Sequence, residues 1–483
     1  MTIDFVPLLR RVRPWGLALL GLTLAACALG PDGSPPEAPR PARYGAQPLA
    51  AQTAAAGGVA QRFEVGARPV PEWWKAYGSP ALDALVAEGL ANSPDLAAAD
   101  RRLSAAREQL KAQIGGNLLP SVDAGAEASR GRRLALPTTP SPTALYNLFV
   151  GQLQAQYTFD LFGAARYANA SLAARVDRQV FQLDAARRAL AANIVTGAID
   201  AAVLRAQIEA TERLVALAAQ DARETQRRHE LGAVAQGDAL EARRSAAALA
   251  ASLPGLRAQW QATRHALAVL LGRTPDQAPE DLDISQLATP AQLPVVVPSE
   301  LLAARPDIQA ADAALKAAAA NVGVATAQMY PSLSLSATMG KGGFDWSRAL
   351  SGAGDIWTVG ASLSMPLFHG GALRAQRRAA LADYDAAVDD YRQTVLAAFR
   401  NVADSLARLE QDADALAAAD TAREAAGRAF ADARRRVELG AVPPSAARAR
   451  EQQYLDAQVQ ALARAGARLS DTAALFQAMG SME

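Results

Sequence analysis

The chain has 483 residues, a formal net charge of +1, 51% hydrophobic residues and a single cysteine. Near-neutrality excludes the electrostatic footprint of a nucleic-acid binder. The length suggests roughly two to four domains, and the abundance of Ala, Leu, Arg, Asp, Glu and Gln is that of long helices packed closely on small residues.

The N-terminus reads as a leader. Arg10, Arg11 and Arg13 form a basic region, Trp15 to Ala26 a short apolar one, and Leu24-Ala25-Ala26-Cys27 a lipobox. The expectation is a lipoprotein signal peptide over residues 1–26, cut before Cys27. The thiol of Cys27 then takes a diacylglycerol and its freed amino group an acyl chain; a plain secretory signal with a chance Cys is the alternative. Each buried methylene adds about 0.8 kcal/mol, so several chains anchor firmly. Ala28, rather than Asp, follows the Cys, which favours outer-membrane sorting. The mature chain keeps no other Cys, so no disulfide or thiol chemistry is expected. Residues 27–70, with Pro35-Pro36 and Pro39-Arg40-Pro41, read as the lipidated Cys and an extended tether. No other continuous run of 18 apolar residues occurs, so no spanning helix is expected after processing.

Helical patterns follow over about Pro80 to Asn117, broken near Asn92-Ser93-Pro94, then over about Tyr167 to Leu231 and Asp238 to Leu271. A second set covers about Ser299 to Gln328, Ala372 to Leu439 and Ser445 to Met479. Each long run extends on the order of 95–100 Å and needs a neighbour along its length. Leu381, Tyr384, Val388, Tyr391, Val395, Phe399, Val402, Leu406 and Leu409 recur with a mean spacing of 3.5, the coiled-coil period.

Between the helices lie four alternating segments. Val122 to Ala128 and Phe149 to Phe159 predict one strand hairpin, about 121–159; Leu333 to Met339 and Trp357 to Leu367 predict another, about 332–367. Each has an apolar face and a small-polar face. A half-buried soluble sheet has this alternation, and so does an outer-membrane barrel. Long loops at Arg130 to Tyr146 and Lys341 to Asp355, the latter with Phe344, suit the barrel, and Trp357 and Phe344 suit its aromatic girdle as well as ordinary packing. Four strands cannot close, and open edges in lipid are costly. Two copies would give eight strands and three twelve; the wet Ser, Thr, Gly and Gln face favours three.

The landmarks occur twice. Ser93-Pro94-Asp95-Leu96 is answered by Arg305-Pro306-Asp307-Ile308, Leu119-Pro120-Ser121 by Tyr330-Pro331-Ser332, Phe159-Asp160-Leu161-Phe162-Gly163 by Met365-Pro366-Leu367-Phe368-His369-Gly370, and Leu231-Gly232-Ala233-Val234 by Leu439-Gly440-Ala441-Val442, each about 210 residues later. The expectation is an internal repeat, 71–290 and 291–483.

These residues, with Trp73-Trp74-Lys75-Ala76-Tyr77-Gly78 and the linker Leu293-Pro294 to Leu302, resemble the TolC-like outer-membrane factors, in particular the NodT-type efflux lipoproteins, over nearly the whole mature chain. The resemblance implies a mixed α + β membrane channel: a homotrimer with a twelve-stranded β-barrel in the outer membrane of a Gram-negative bacterium and a long periplasmic α-helical barrel. It further implies docking to a periplasmic membrane-fusion adaptor and an inner-membrane pump, RND type foremost, for export of small molecules or drugs. A type I protein-secretion duct uses the same architecture, and a lipid-anchored periplasmic scaffold without a pore is the reading from another class.

No catalytic constellation is visible. His229, His265 and His369 are scattered, no phosphate-binding glycine loop occurs, and neither an enzyme activity, a metal nor a cofactor beyond the Cys27 lipid is expected. Leu231, Gly232 and Ala233, and Leu439, Gly440 and Ala441, read as helix ends closed by a left-handed Gly. The resemblance makes them periplasmic tips that meet the adaptor. It makes Asp238 and Leu240 gate residues, though Asp238 is equally a first-turn acid on a helix dipole. The second tip departs: Pro443-Pro444-Ser445-Ala446-Ala447-Arg448 lacks the Leu and Asp, leaving Arg448 or Arg450 for a ring there, or the gate wholly on the first hairpin.

Overall fold

The computed structural model describes residues 30–39, 41–67, 70–133 and 144–480; the leader and the lipidation site Cys27 lie outside them. In chain order the elements are β1 (Arg62–Val65), α1 (Pro80–Asn92), α2 (Pro94–Leu118), β2 (Ser121–Arg133), β3 (Ala144–Phe159), α3 (Ala164–Glu230), α4 (Gln236–Ala250), α5 (Leu253–Leu270), β4 (Gln292–Val295), α6 (Pro298–Ala304), α7 (Pro306–Ala327), β5 (Ser332–Gly343), α8 (Trp346–Leu350), β6 (Asp355–Ser364), α9 (Ala372–Glu438) and α10 (Pro444–Met479). They form two compact units.

The first unit gathers Arg102–Val180 and Ala310–Arg392. Its centre is a four-stranded antiparallel sheet in the order β2-β3-β5-β6. The register places Ala124, Leu153, Met339 and Trp357 in one row and Asp123, Gln154, Thr338 and Thr358 in the next. Because side chains alternate across the pleat, one face is apolar and the other small-polar. Met339 is 64% and Trp357 76% exposed, so the apolar face is uncovered in the single chain. Three features differ from the sequence expectation. Strands β2, β3 and β5 reach to Arg133, Ala144 and Gly343, into what was expected as the loops Arg130 to Tyr146 and Lys341 to Asp355, because the ladder continues past the apolar stretch. The loop after β5 carries the short helix α8, capped where Arg348 N–H donates to Asp345 at 2.8 Å. And β6 stops at Ser364, since Pro366 brings no N–H to a ladder.

At the base of the sheet the Asp160 carboxylate accepts from Ala165 N–H at 3.1 Å and Arg166 N–H at 2.9 Å, capping α3. Phe162 stacks on Tyr330 at 4.8 Å. The Tyr167 ring lies on Gly323, where a Cβ would come within 2.5 Å of it.

The second unit gathers Ala38–Arg101, Phe181–Gln309 and Gln393–Glu483. Its core holds Tyr77, Leu82, Ile194, Ile199, Leu271, Leu293, Leu301 and Leu475, all fully buried. The heptad seam read in the sequence is buried here from Val395 to Leu409. The most apolar stretch of α3 has the hydropathy of a spanning segment, but it is 61% buried within the structure, so its apolarity serves packing.

Residues 52–65, read as part of an extended tether, are instead built into this unit. Strand β1 pairs in parallel with β4, Arg62 opposite Gln292. Arg468 of α10, 1% exposed, donates to Gln61 Oε1 and Ala56 O at 2.8 Å and to Val59 O at 3.0 Å. Gln61 in turn donates to Thr472 Oγ1 and Pro290 O, each at 3.1 Å. A buried guanidinium demands such acceptors, and only a chain folded back over α10 supplies them. A second difference concerns the helix expected over Asp238 to Leu271, which is two, α4 and α5. Pro254 sits in the first turn of α5, where its ring is tolerated, whereas a continuous helix would clash with it.

Helices α3 and α9 are both 67 residues long, and their starts, Ala164 and Ala372, are 208 residues apart, as are their ends.

Candidate functional site at the helix tips

Both long helices end in the same way. At the first tip Gly232 has φ +75°; its N–H donates to His229 O and that of Ala233 to Arg228 O, both at 2.8 Å. At the second, Gly440 has φ +70°; its N–H donates to Val437 O at 2.9 Å and that of Ala441 to Arg436 O at 2.8 Å. This is the Schellman closure, which needs a residue at ease in the left-handed region. Leu231 and Leu439 project from the two tips, 79% and 76% exposed. A Cβ at either Gly would meet no atom within 4 Å, so both tips offer bare backbone and one free leucine.

The tips differ beyond the turn. His229 Nδ1 lies 3.1 Å from Val234 O and brackets the first tip; the position 208 residues on is Val437, which has no such group. Asp238 is exposed in the first turn of α4, and Leu240 is 57% exposed. One turn on, Arg244 pairs with Glu241 at 2.5 Å and holds its carboxyl below the ordinary range.

Leu240 is answered 208 residues later by Arg448, whose surroundings are quite different. Its side chain is 12% exposed. Nε donates to Asp221 Oδ1 at 2.5 Å, and the other end of the guanidinium reaches Glu224. Gln452 donates to the second oxygen of Asp221 at 3.1 Å, and Arg213 pairs with Glu451 at 2.8 Å. Leu214, Leu217 and Leu455 form the apolar core beneath. Arg448 thus joins α10 to α3, whereas Asp238 and Leu240 stay exposed on α4. Arg450 is exposed and donates to Gln453 at 2.8 Å.

Asp221 and Glu224 were not singled out in the sequence. Their one-turn spacing puts them on one face of α3, but such acid pairs are common on solvated helices. Among the described residues no group of three or more His, Cys, Asp or Glu side chains is placed to hold a metal ion.

A profile of the family described as outer membrane efflux protein matches residues 85–273 and 297–481. The pyoverdine export outer membrane protein OpmQ of Pseudomonas putida is 34% identical over 400 residues, 80% of each chain. Nodulation protein T of Rhizobium leguminosarum bv. viciae is 30% identical, covering 82% of this chain and 78% of its own. The outer-membrane channel OprN superposes with a TM-score of 0.78 at 28% identity, over 93% of this chain and 99% of that one. The Campylobacter jejuni outer membrane channel CmeC shares the fold, with a TM-score of 0.81 at 21% identity over 94% and 95%. With the profile spanning most of the chain and these relatives aligned over four-fifths of it, the chain belongs to the outer membrane efflux protein family and is an efflux component of a Gram-negative outer membrane, its helical portion periplasmic.

Proposed function

We propose that the chain is one third of a passive exit duct. Three copies close a twelve-stranded barrel, each copy contributing two hairpins from an internal repeat, and the helices form the periplasmic conduit. The observation that carries this reading is the four-stranded sheet with a bare apolar face and two unpaired edges, β2 and β6. In hydrocarbon each unpaired backbone group costs several kcal/mol, which closure across copies removes. The two stretches matched by the family profile fall within the proposed repeats, 71–290 and 291–483.

In this reading Leu231, Gly232, Ala233, Leu439, Gly440 and Ala441 meet the hairpins of a periplasmic adaptor that links the duct to an inner-membrane pump, RND type foremost. The cargo is small molecules, in keeping with relatives named for pyoverdine export and toluene efflux. No step needs catalysis, because the pump supplies the energy. The lipid on Cys27 anchors the start of the chain. The gate combines exposed Asp238 and Leu240 at the first tip with a latch at the second, Arg448 on Asp221 and Glu224, which holds α10 against α3 until the adaptor docks.

The mass of the detergent-solubilised assembly and its single-channel conductance test the reading together. A trimer that conducts once the latch is removed supports it; a monomer or a non-conducting assembly points to a lipid-anchored scaffold and overturns it.

A further inference from the structure

The outward face of the sheet ends in an arrangement that a hydrocarbon band does not require. Along β3 the apolar face runs Phe159, Tyr157, Ala155, Leu153, Gly151, Phe149. Aromatic pairs bound it: Tyr157 against Phe159 at 4.9 Å near the helices, and Phe149 stacked on Trp346 at 4.4 Å near the hairpin ends. Ten residue steps at about 3.4 Å, tilted by roughly 40–45°, span about 25 Å, the height of an outer-membrane apolar band between its aromatic girdles.

On β2 the same face runs Val122, Ala124, Ala126, Ala128, Arg130, Arg132. Ala128 lies opposite Phe149, so it is level with the upper girdle; Arg130, opposite Asn147, is one row beyond it, and Arg132, opposite Leu145, two rows. Both arginines are exposed, and among the described residues neither has a hydrogen-bond or ion-pair partner. Lys341, on the same face but below the girdle, is already satisfied by Asp355 at 2.6 Å. The strand end is held in place from the other face: the Tyr146 ring covers Gly131, where a Cβ would come within 2.7 Å of it, and Phe344 meets Tyr146 edge-on at 6.2 Å.

With the helices periplasmic, these hairpin ends lie at the outer leaflet, which is built of a phosphorylated, anionic glycolipid. We propose that Arg130 and Arg132 form a docking site for the phosphorylated sugar headgroup of that glycolipid, seated on the outward face of β2 just beyond the Phe149–Trp346 girdle. The two guanidinium groups, about 7 Å apart along the strand, match phosphate oxygens in a way that Lys does not. They replace the divalent cations that otherwise bridge neighbouring headgroups. Apolar Ala126 and Ala128 below accept the acyl chains.

The site rests on the membrane placement proposed above, and the experiment separates the two. Purified full-length protein in detergent is titrated with lipopolysaccharide, with its dephosphorylated form and with inorganic phosphate. Saturable binding of lipopolysaccharide is expected, weakened about tenfold or more in Arg130→Gln/Arg132→Gln and unchanged in Lys341→Gln. Equal binding by the double variant, equal binding of the dephosphorylated lipid, inorganic phosphate binding as tightly as the lipid, or an equal loss in Lys341→Gln would each overturn the site. Quenching of tryptophan fluorescence by brominated lipid, expected in the reconstituted protein and lost when both exposed residues Trp346 and Trp357 are replaced by Phe, reads the placement of the sheet independently of the arginines; no quenching in the unaltered protein would overturn the placement.

Discussion

Arg448 Nε donates to Asp221 Oδ1 at 2.5 Å and fastens α10 to α3, while Leu240, its counterpart 208 residues earlier, stands 57% exposed on α4. Two hairpins with the same turn chemistry therefore end in different states, one fastened and one free. Removing one member of a partly buried ion pair leaves the other unsatisfied, at a cost of roughly 1–3 kcal/mol, so the fastening resists random opening yet remains within reach of a docking partner. Arg448→Ala is expected to raise single-channel conductance several-fold while the assembly keeps its mass. Unchanged conductance in a folded variant would remove the latch from the mechanism.

Gly232 and Gly440 have positive φ and open space around them. A side chain there strains the backbone by roughly 1 kcal/mol without striking a neighbour. Gly232→Glu and Gly440→Glu should assemble normally, on size-exclusion chromatography, and fail to export. Normal drug resistance in cells carrying them argues against adaptor contact at the tips.

The small-polar face of the sheet bears Asp123 and Glu127, the charged side chains on that face between Ser121 and Gly131, with Gln154 and Val150 opposite. If it lines the lumen, threefold assembly repeats both carboxylates around the bore, and the duct prefers cations. Asp123→Asn/Glu127→Gln should shift the reversal potential in a salt gradient toward zero. An unshifted potential would place the selectivity elsewhere.

Asp412 on α9 is partly buried beside Asp471, near Arg408 and Arg464; burial first, then the neighbouring Asp471 carboxyl, raises its pKa to about 6. The folded protein thus binds this proton more tightly than the unfolded chain. Its contribution to stability is present below about pH 4 and is lost as the pH rises through about 6. Asp412→Asn should raise the Tm at pH 7.5 and leave it nearly unchanged at pH 4. The opposite ordering would mean that Arg408 and Arg464 outweigh burial.

Much of the fold is legible because its signals are local. Pro94 and Pro306 start helices in their first turns, Gly232 and Gly440 end them, and alternation marks β3, β5 and β6 and, more weakly, β2. The coiled-coil period of Val395, Val402 and Leu409 marks a seam that is fully buried. Pro254 carried an equally local signal, and the Ala-rich helical pattern on both sides masked it. The tips were legible as turns; what each tip touches was not.

Dihedral preference and side-chain period act within a few residues, so the long helices, the four amphipathic strands, their order and the family are readable along the chain, whereas β1, α8 and the break between α4 and α5 are not. Which distant groups meet emerges on folding: β1 on β4 across some 230 residues, Arg468 inside the segment read as a tether, and Arg448 on Asp221. A charged or polar side chain looks the same in sequence whether water or a buried partner satisfies it. Long-range packing alone makes that choice, and here it sets the two tips of one repeated motif apart.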